Sequence, residues 1–335
     1  MEALRALDDQ AFFHLFTTVS PWFFKDAIGE SFTYHHLVCD VGFVQSDPFS
    51  IDFSATQEAL TDLLPFRSNS VDEICRKLAK CNLVICDISP LGIYAARKAG
   101  IASVLVENFT WDHLYAYYLS RQPCLARWIE LLAECFALVD YHIQTEPLCQ
   151  PKRDAALLVG PISRDSAIPA AQVKKKLGTD PGQKIVLISF GGFPWAMPVA
   201  TAATAHLAHT VLVVPTAIES VRRQGNVVFL PRQSEVSHVA VVQAADALIC
   251  KAGYSTLAEG YCAGVPVAAI LRDDYPETSA LAAFVEQKMG GRCLSPRSMT
   301  GRSWLAAIPR LFEQGRHPGR PSEAGAVARF LLHLL

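Results

Sequence analysis

The stretch from Ala247 to Pro266 reads as a strand, a tight turn and a helix in immediate succession. Ala247–Cys250 is a short apolar run of the kind buried on both faces of a parallel sheet. Lys251, Ala252 and Gly253 break that run. Ser255 or Thr256 is then placed to cap a helix through Leu257, Ala258, Tyr261 and Cys262 to Gly264, with Pro266 just beyond. A helix that starts at the carboxyl end of a strand turns unpaired N–H groups and its positive dipole end toward whatever lies above, which makes a natural anion site. Glu259 is expected in the first turn, where it either supports the helix start or accepts hydrogen bonds from a pair of ribose hydroxyls.

Lys251-Ala-Gly-Tyr-Ser-Thr-Leu-Ala-Glu259, then Gly264-Val-Pro266 and Arg272-Asp-Asp-Tyr-Pro-Glu277, resemble the donor-site segment of the GT-B glycosyltransferases. More narrowly they are similar to the C-terminal domain of glycosyltransferase family 28 and to the glycosyltransferase-like part of plant L-arabinokinases. The resemblance implies that Gly253 and the helix start, with Ser255 and Thr256, face a nucleotide diphosphate while Glu259 holds the ribose.

A chain of 335 residues, 51% of them hydrophobic, is long enough for two domains and two cores. No apolar run reaches the length of a membrane span, and Met1–Asp9 lacks a signal peptide's basic and apolar regions, so a cytoplasmic protein is expected. The 10 cysteines form no Cys-x-x-Cys pair, and Cys86 and Cys250 lie inside strand-like runs. They read as buried thiols rather than a disulfide frame or zinc site, and no metal is expected. A formal net charge of −2 leaves no basic footprint for nucleic acid.

The first half opens on a helix near Met1–Asp9 and a strand at Phe12–Val19, where a doubly wound domain should begin with a strand and a glycine-rich turn. Relatives begin with such a strand and a His-Gly-x-Gly-His loop; this sequence has neither. Thr33–Val38 is the next strand, leading into a long loop, Asp40–Asp52. Ser54–Cys81 reads as helical, interrupted near Pro65 and Asn69. Leu83–Asp87 is a strand ending on an acid, so Asp87 either acts as the general base of a glycosyl transfer or caps the next helix, Leu91–Ala99. After the strand Ala102–Val106, Asn108, Trp111 and Asp112 follow a spacing similar to the arabinokinase-like pattern. Trp111 is suited to stack on a sugar face with Asn108 and Asp112 on its hydroxyls, or the aromatics simply staple a helix to the sheet. A long helical region to Leu138 is interrupted near Pro123, and Tyr141–Gln144 is read as the last strand of this half. Pro147–Asp165 is read as the interdomain connection.

The second half restarts with a helix at Ala171–Leu177 and a strand at Lys184–Phe190 that runs into Gly191 and Gly192. Two glycines at a strand's carboxyl end permit close backbone approach to a phosphate or sugar. Strands at Thr210–Val214 and Val227–Leu230 follow, then Arg232 in a loop that relatives place against the nucleobase. His238 opens a helix over Val239–Ala245. Beyond the central segment, Val267–Leu271 ends on Arg272, suited to offset diphosphate charge; Lys251 is a second candidate for that task, and Glu277 for a donor-sugar contact. Phe284–Met289 reads as a helix, Arg292–Leu294 as a closing strand, and Trp304–Phe312 and Glu323–Leu334 as C-terminal helices.

The expected architecture is α/β: two Rossmann-like domains facing a cleft, 1–160 on the acceptor side, lacking its first strand and glycine-rich loop, and 161–335 binding the nucleotide sugar, with the last helix crossing back. By this analogy the chain transfers a sugar from a nucleotide sugar, a UDP sugar first of all, to an unidentified acceptor, with no cofactor beyond that substrate. Two alternatives stand beside it: a nucleotide-sugar-binding or regulatory protein without turnover, and a nucleotide-sugar epimerase.

Overall fold

The computed structural model describes residues 2–7, 11–180, 182–191, 207, 209–300 and 303–335. The chain divides into two units, one made of Met1–Gln45, Ile51–Pro161 and Glu323–Leu335, the other of Ser46–Ser50 and Ile162–Ser322.

The first unit runs α1 (Glu2–Arg5), β1 (Phe13–Thr17), α2 (Pro21–Ile28), β2 (Phe32–His36), α3 (Phe53–Leu63), α4 (Ser68–Leu78), β3 (Leu83–Asp87), α5 (Pro90–Ala99), β4 (Ala102–Glu107), α6 (Trp111–Ala116), α7 (Ala126–Phe136), β5 (Tyr141–Thr145) and β6 (Leu157–Val159). All its strand pairs are parallel: β1 with β2, and β3-β4-β5-β6 in that order. Among the described residues no strand joins β1 to β3. The last strand is β6, not Tyr141–Gln144; a three-residue pair is too short to stand out inside a loop rich in proline and glycine. Asn69 lies inside α4, so the helical break is confined to Leu64–Arg67, around Pro65.

Local chemistry sets the ends of α5. The Ser89 side chain accepts the Gly92 N–H at 3.2 Å, Pro90 occupies the first turn, and Gly100 closes the helix at φ 70°. Ser89 is therefore the cap, and Asp87 is left free of that task. Cys39 joins the two sheets at their carboxyl ends: its thiol reaches the Phe16 carbonyl, and its own carbonyl accepts the Ser89 hydroxyl at 3.2 Å and the Leu91 N–H at 3.4 Å.

The second unit contains α8 (Ala170–Lys176), β7 (Lys184–Ser189), β8 (Thr210–Pro215), β9 (Arg222–Gln224), β10 (Val227–Leu230), α9 (His238–Ala244), β11 (Ala247–Lys251), α10 (Tyr254–Ala263), β12 (Val267–Ile270), α11 (Thr278–Ala283), β13 (Arg292–Leu294), α12 (Arg297–Thr300) and α13 (Ala307–Gln314). Its sheet has the order β13-β12-β11-β7-β8-β10-β9, parallel except for the short antiparallel edge β9. Alternate residues of the central strands feed two cores. Ile185, Leu187, Leu248 and Cys250 face one, with Val241 and Leu257 of the helices; Val186, Ile188, Ala247 and Ile249 face the other, with Ile308 and Leu311. Continuous apolar runs are required because both faces are covered. The charged edge β9, fully exposed, has no such run to mark it in the sequence. Phe284–Lys288 is a widened helical turn continuing α11.

The chain ends in α14 (Ala324–Leu334), which belongs to the first unit, packing with α1 and β6 and setting Phe330 edge-on to Tyr141.

Candidate functional site

In the second unit the strand order reverses between β7 and β11, since β8 leaves one side of β7 and β11 lies on the other. Crevices at such reversals, outside the carboxyl ends of the strands, are where open α/β sheets hold ligands. Gly191, just past β7, has φ 65°, and a Cβ there would meet nothing within 4 Å. Gly192 lies outside the described residues.

Across the reversal, α10 begins with Gly253 as its N-cap, in extended backbone, with open space where a side chain would be. Ser255 and Thr256 are therefore not caps. Gly253 takes that position without a side-chain cap hydrogen bond. Ser255 is exposed in the first turn and Thr256 is buried.

Glu259 is the sixth residue of α10, past the first turn, and is 3% exposed. Arg164 donates from Nε and Nη2 to its Oε1 at 3.1 and 2.7 Å, and Oε2 lies 2.8 Å from His238 Nδ1. His238 Nε2 lies 2.9 Å from the Ser189 hydroxyl at the end of β7. Burial pushes the Glu259 carboxyl up, but the His238 and Arg164 contacts outweigh it and hold the group below its ordinary value. A carboxylate that only accepts places a His238 proton on Nδ1, toward Glu259. The relay thus runs Arg164, Glu259, His238, Ser189 and ties α9, α10 and β7 together. Arg164 and Ser189 carried no sequence signal, one sitting in a connecting segment and the other at the end of an apolar strand.

Lys251 closes β11 and Arg272 follows β12. Burial first, and the neighbouring Arg272 charge second, bring the Lys251 ammonium down to about 8, while Glu277 pulls the other way. Arg272 is 7% exposed; its Nη2 lies 3.4 Å from Glu277 Oε2, its guanidinium covers the Tyr275 ring, and its Nη1 is buried with no partner among the described residues. The buried Arg272 Nη1 is a donor that an anion could satisfy. Arg232 is exposed in the loop after β10.

In the first unit, Trp111 is half-buried and packed by its neighbours. Its indole N–H donates to Asp40 Oδ2 at 2.9 Å, its ring stacks on Tyr115, and a Cβ on Gly42 would sit 2.8 Å from it. The Tyr115 hydroxyl donates to the Val41 carbonyl at 2.6 Å, so α6 holds the 40–43 segment along its flank. Asn108 Nδ2 and Asp112 Oδ1 are buried without partners among the described residues. Asp87 ends β3, and the next residue, Ile88, has φ 54°. Burial first, partly offset by the Trp111 bond and helped by the Asp87 charge, brings the Asp40 carboxyl up to about 6.

No family model matches the chain. An L-arabinokinase of Arabidopsis thaliana is 27% identical over 282 residues, 82% of this chain but only 26% of that protein, so the chain spans about a quarter of its length. An uncharacterized glycosyltransferase of Methanopyrus kandleri is 22% identical over 260 residues, 75% of each chain. Among solved structures, the spinosyn forosaminyltransferase SpnP aligns over 99% of this chain and 93% of its own, with a TM-score of 0.57 at 17% identity. A UDP-glucosyltransferase of Polygonum tinctorium that glucosylates indoxyl aligns over 99% and 94%, with a TM-score of 0.59 at 14% identity. The fold is that of the GT-B glycosyltransferases. Among the described residues no helix is long and apolar enough to cross a membrane.

Proposed function

We propose that the chain is a glycosyltransferase that takes a sugar from a nucleotide diphosphate sugar, a UDP sugar first of all, and passes it to a hydroxyl acceptor. The observation that carries this reading is the buried Arg272 Nη1, without a partner among the described residues, after β12, with Lys251 ending the adjacent strand β11 and Gly253 capping α10 two residues further on. A leaving diphosphate is stabilised by such a set without a metal ion. In this reading Gly191, Gly192, Gly253, Ser255 and Thr256 admit the phosphates, Arg232 lies toward the base, and Glu277 faces the donor sugar. Asn108 and Asp112 offer an unfilled donor and acceptor to the acceptor substrate, and Asp87 supplies a carboxylate at the strand end.

Glu259 holds a ribose only if the hydroxyls share its oxygens with Arg164 and His238. That engagement favours a second reading, a nucleotide-sugar-binding protein without turnover in which Glu259 supports α10 alone.

Calorimetric titration with UDP and GDP, on wild type and on K251M, R272L and E259Q, tests the site. Saturable UDP binding lost in K251M and R272L supports it; folded wild type that binds neither nucleotide overturns it. Release of UDP from UDP-glucose or UDP-galactose then separates transfer from binding alone.

A further inference from the structure

An acidic residue reads a ribose by accepting hydrogen bonds from its hydroxyls, and the number it takes is limited by the acceptor positions it has left. We propose, on the nucleotide-sugar reading of the second unit, that Arg164 is a specificity-determining residue of that site. By filling one oxygen of Glu259 it leaves the carboxylate able to hold one ribose hydroxyl and not two. Arg164, Ser189, His238 and Glu259 all belong to the second unit.

An ionised carboxylate offers about four acceptor positions, two on each oxygen. Arg164 Nε and Nη2 take both positions on Oε1, at 3.1 and 2.7 Å, and His238 Nδ1 takes one on Oε2 at 2.8 Å. Nothing else among the described residues donates to either oxygen, so one position on Oε2 is left. Burial acts to raise the Glu259 carboxyl, but the His238 and Arg164 contacts hold it below its ordinary value. The group is therefore ionised at neutral pH and offers acceptors only.

A neutral hydroxyl does not displace either partner. The two Arg164 bonds are charge-assisted and come from one planar group, and losing them would strip a side chain that is 3% exposed of its countercharge. His238 is held from behind, with Nε2 at 2.9 Å from the Ser189 hydroxyl. The carboxylate also stands on the side of the sheet where a ligand is expected. Ser189 is the last residue of β7 and His238 the first of α9, which follows β10, and β7, β8 and β10 run parallel. Both partners therefore mark the carboxyl-end side, where open α/β sheets hold their ligands.

A ribose presents two neighbouring hydroxyls, at 2′ and 3′. With one position left, one of them bonds to Glu259 and the other does not, so the two deoxy forms of one nucleotide are told apart.

The test is calorimetric titration of the full chain with UDP, 2′-deoxy-UDP and 3′-deoxy-UDP at pH 7. In wild type one deoxy analogue should bind about tenfold or more weaker than UDP, the loss of one hydrogen bond to a charged group, while the other stays within about threefold. R164M opens both positions on Oε1, so the analogue that wild type tolerates should now be penalised too and the ratio between the analogues should move toward one. R164K donates from one nitrogen, leaves one position on Oε1 open, and should shift the ratio the same way; it covers the case in which R164M does not fold. A purely structural role for Arg164 would weaken all three nucleotides alike and leave the ratio unchanged. Wild type that penalises both analogues equally, or neither, overturns the proposal, as do folded R164 variants that bind UDP with the wild-type ratio. Wild type that fails to bind UDP overturns the nucleotide-sugar reading itself, so the two failures are told apart.

Discussion

Arg164 places Nε and Nη2 together on Oε1 of Glu259, at 3.1 and 2.7 Å, joining the segment just after the unit boundary to the middle of α10. The same carboxylate meets His238, so a single buried side chain fixes three parts of the second unit.

Removing it should be expensive. E259A leaves a half-buried guanidinium unpaired and is expected to lower the stability of the second unit by about 3 kcal/mol. Because its folded carboxyl lies below the ordinary value, this contribution is present above the unfolded value and fades as pH falls through the folded one. Urea unfolding of wild type and E259A at pH 7 and pH 3.5 should show the gap narrowing at the lower pH.

Lys251 should make nucleotide binding pH-dependent. Its ammonium is held at about 8, so the free site loses a positive charge as pH rises through that value. UDP affinity is expected to fall by up to about tenfold per pH unit above 8, with one proton taken up on binding there. Calorimetry in buffers of different ionisation enthalpy reads that proton directly, and K251M should abolish it.

Asp40 gives a stability change of opposite sign. Its folded carboxyl is raised, so its stabilising effect belongs to low pH and is lost as pH rises through about 6. D40N preserves an acceptor for Trp111 and is expected to be more stable than wild type by about 1 to 2 kcal/mol at pH 7.5, with no difference near pH 3.5. Equal stability at both pH values would show Asp40 to be well solvated.

Gly264 ends α10 at φ 67°, and a Cβ there would run into the His317 carbonyl. G264A is expected to lower stability by about 2 kcal/mol or more, since the strained backbone and the clash add. The denaturation midpoint of the second unit measures it.

Alternation and punctuation made much of the second unit legible in the sequence. The runs at Lys184–Phe190, Thr210–Val214 and Ala247–Cys250 correspond to β7, β8 and β11, because strands covered on both faces must be apolar throughout. Gly253 and Gly264 marked the ends of α10 for similarly local reasons, although the cap itself moved from Ser255 or Thr256 to Gly253. The cations Lys251 and Arg272 were legible as well, being charges placed where apolar runs stop.

What only the tertiary structure decided is which polar groups meet. Arg164 and Glu259 are 95 residues apart, and Trp111 and Asp40 are 71 apart. Both pairs exist because strand order and crossovers bring distant ends to one side of a sheet. Local propensity determines where strands and helices start and stop. Hydrogen bonds between remote side chains depend on the path of the whole chain, so neither the commitment of Trp111 to Asp40 nor the double engagement of Glu259 has a counterpart in spacing or composition.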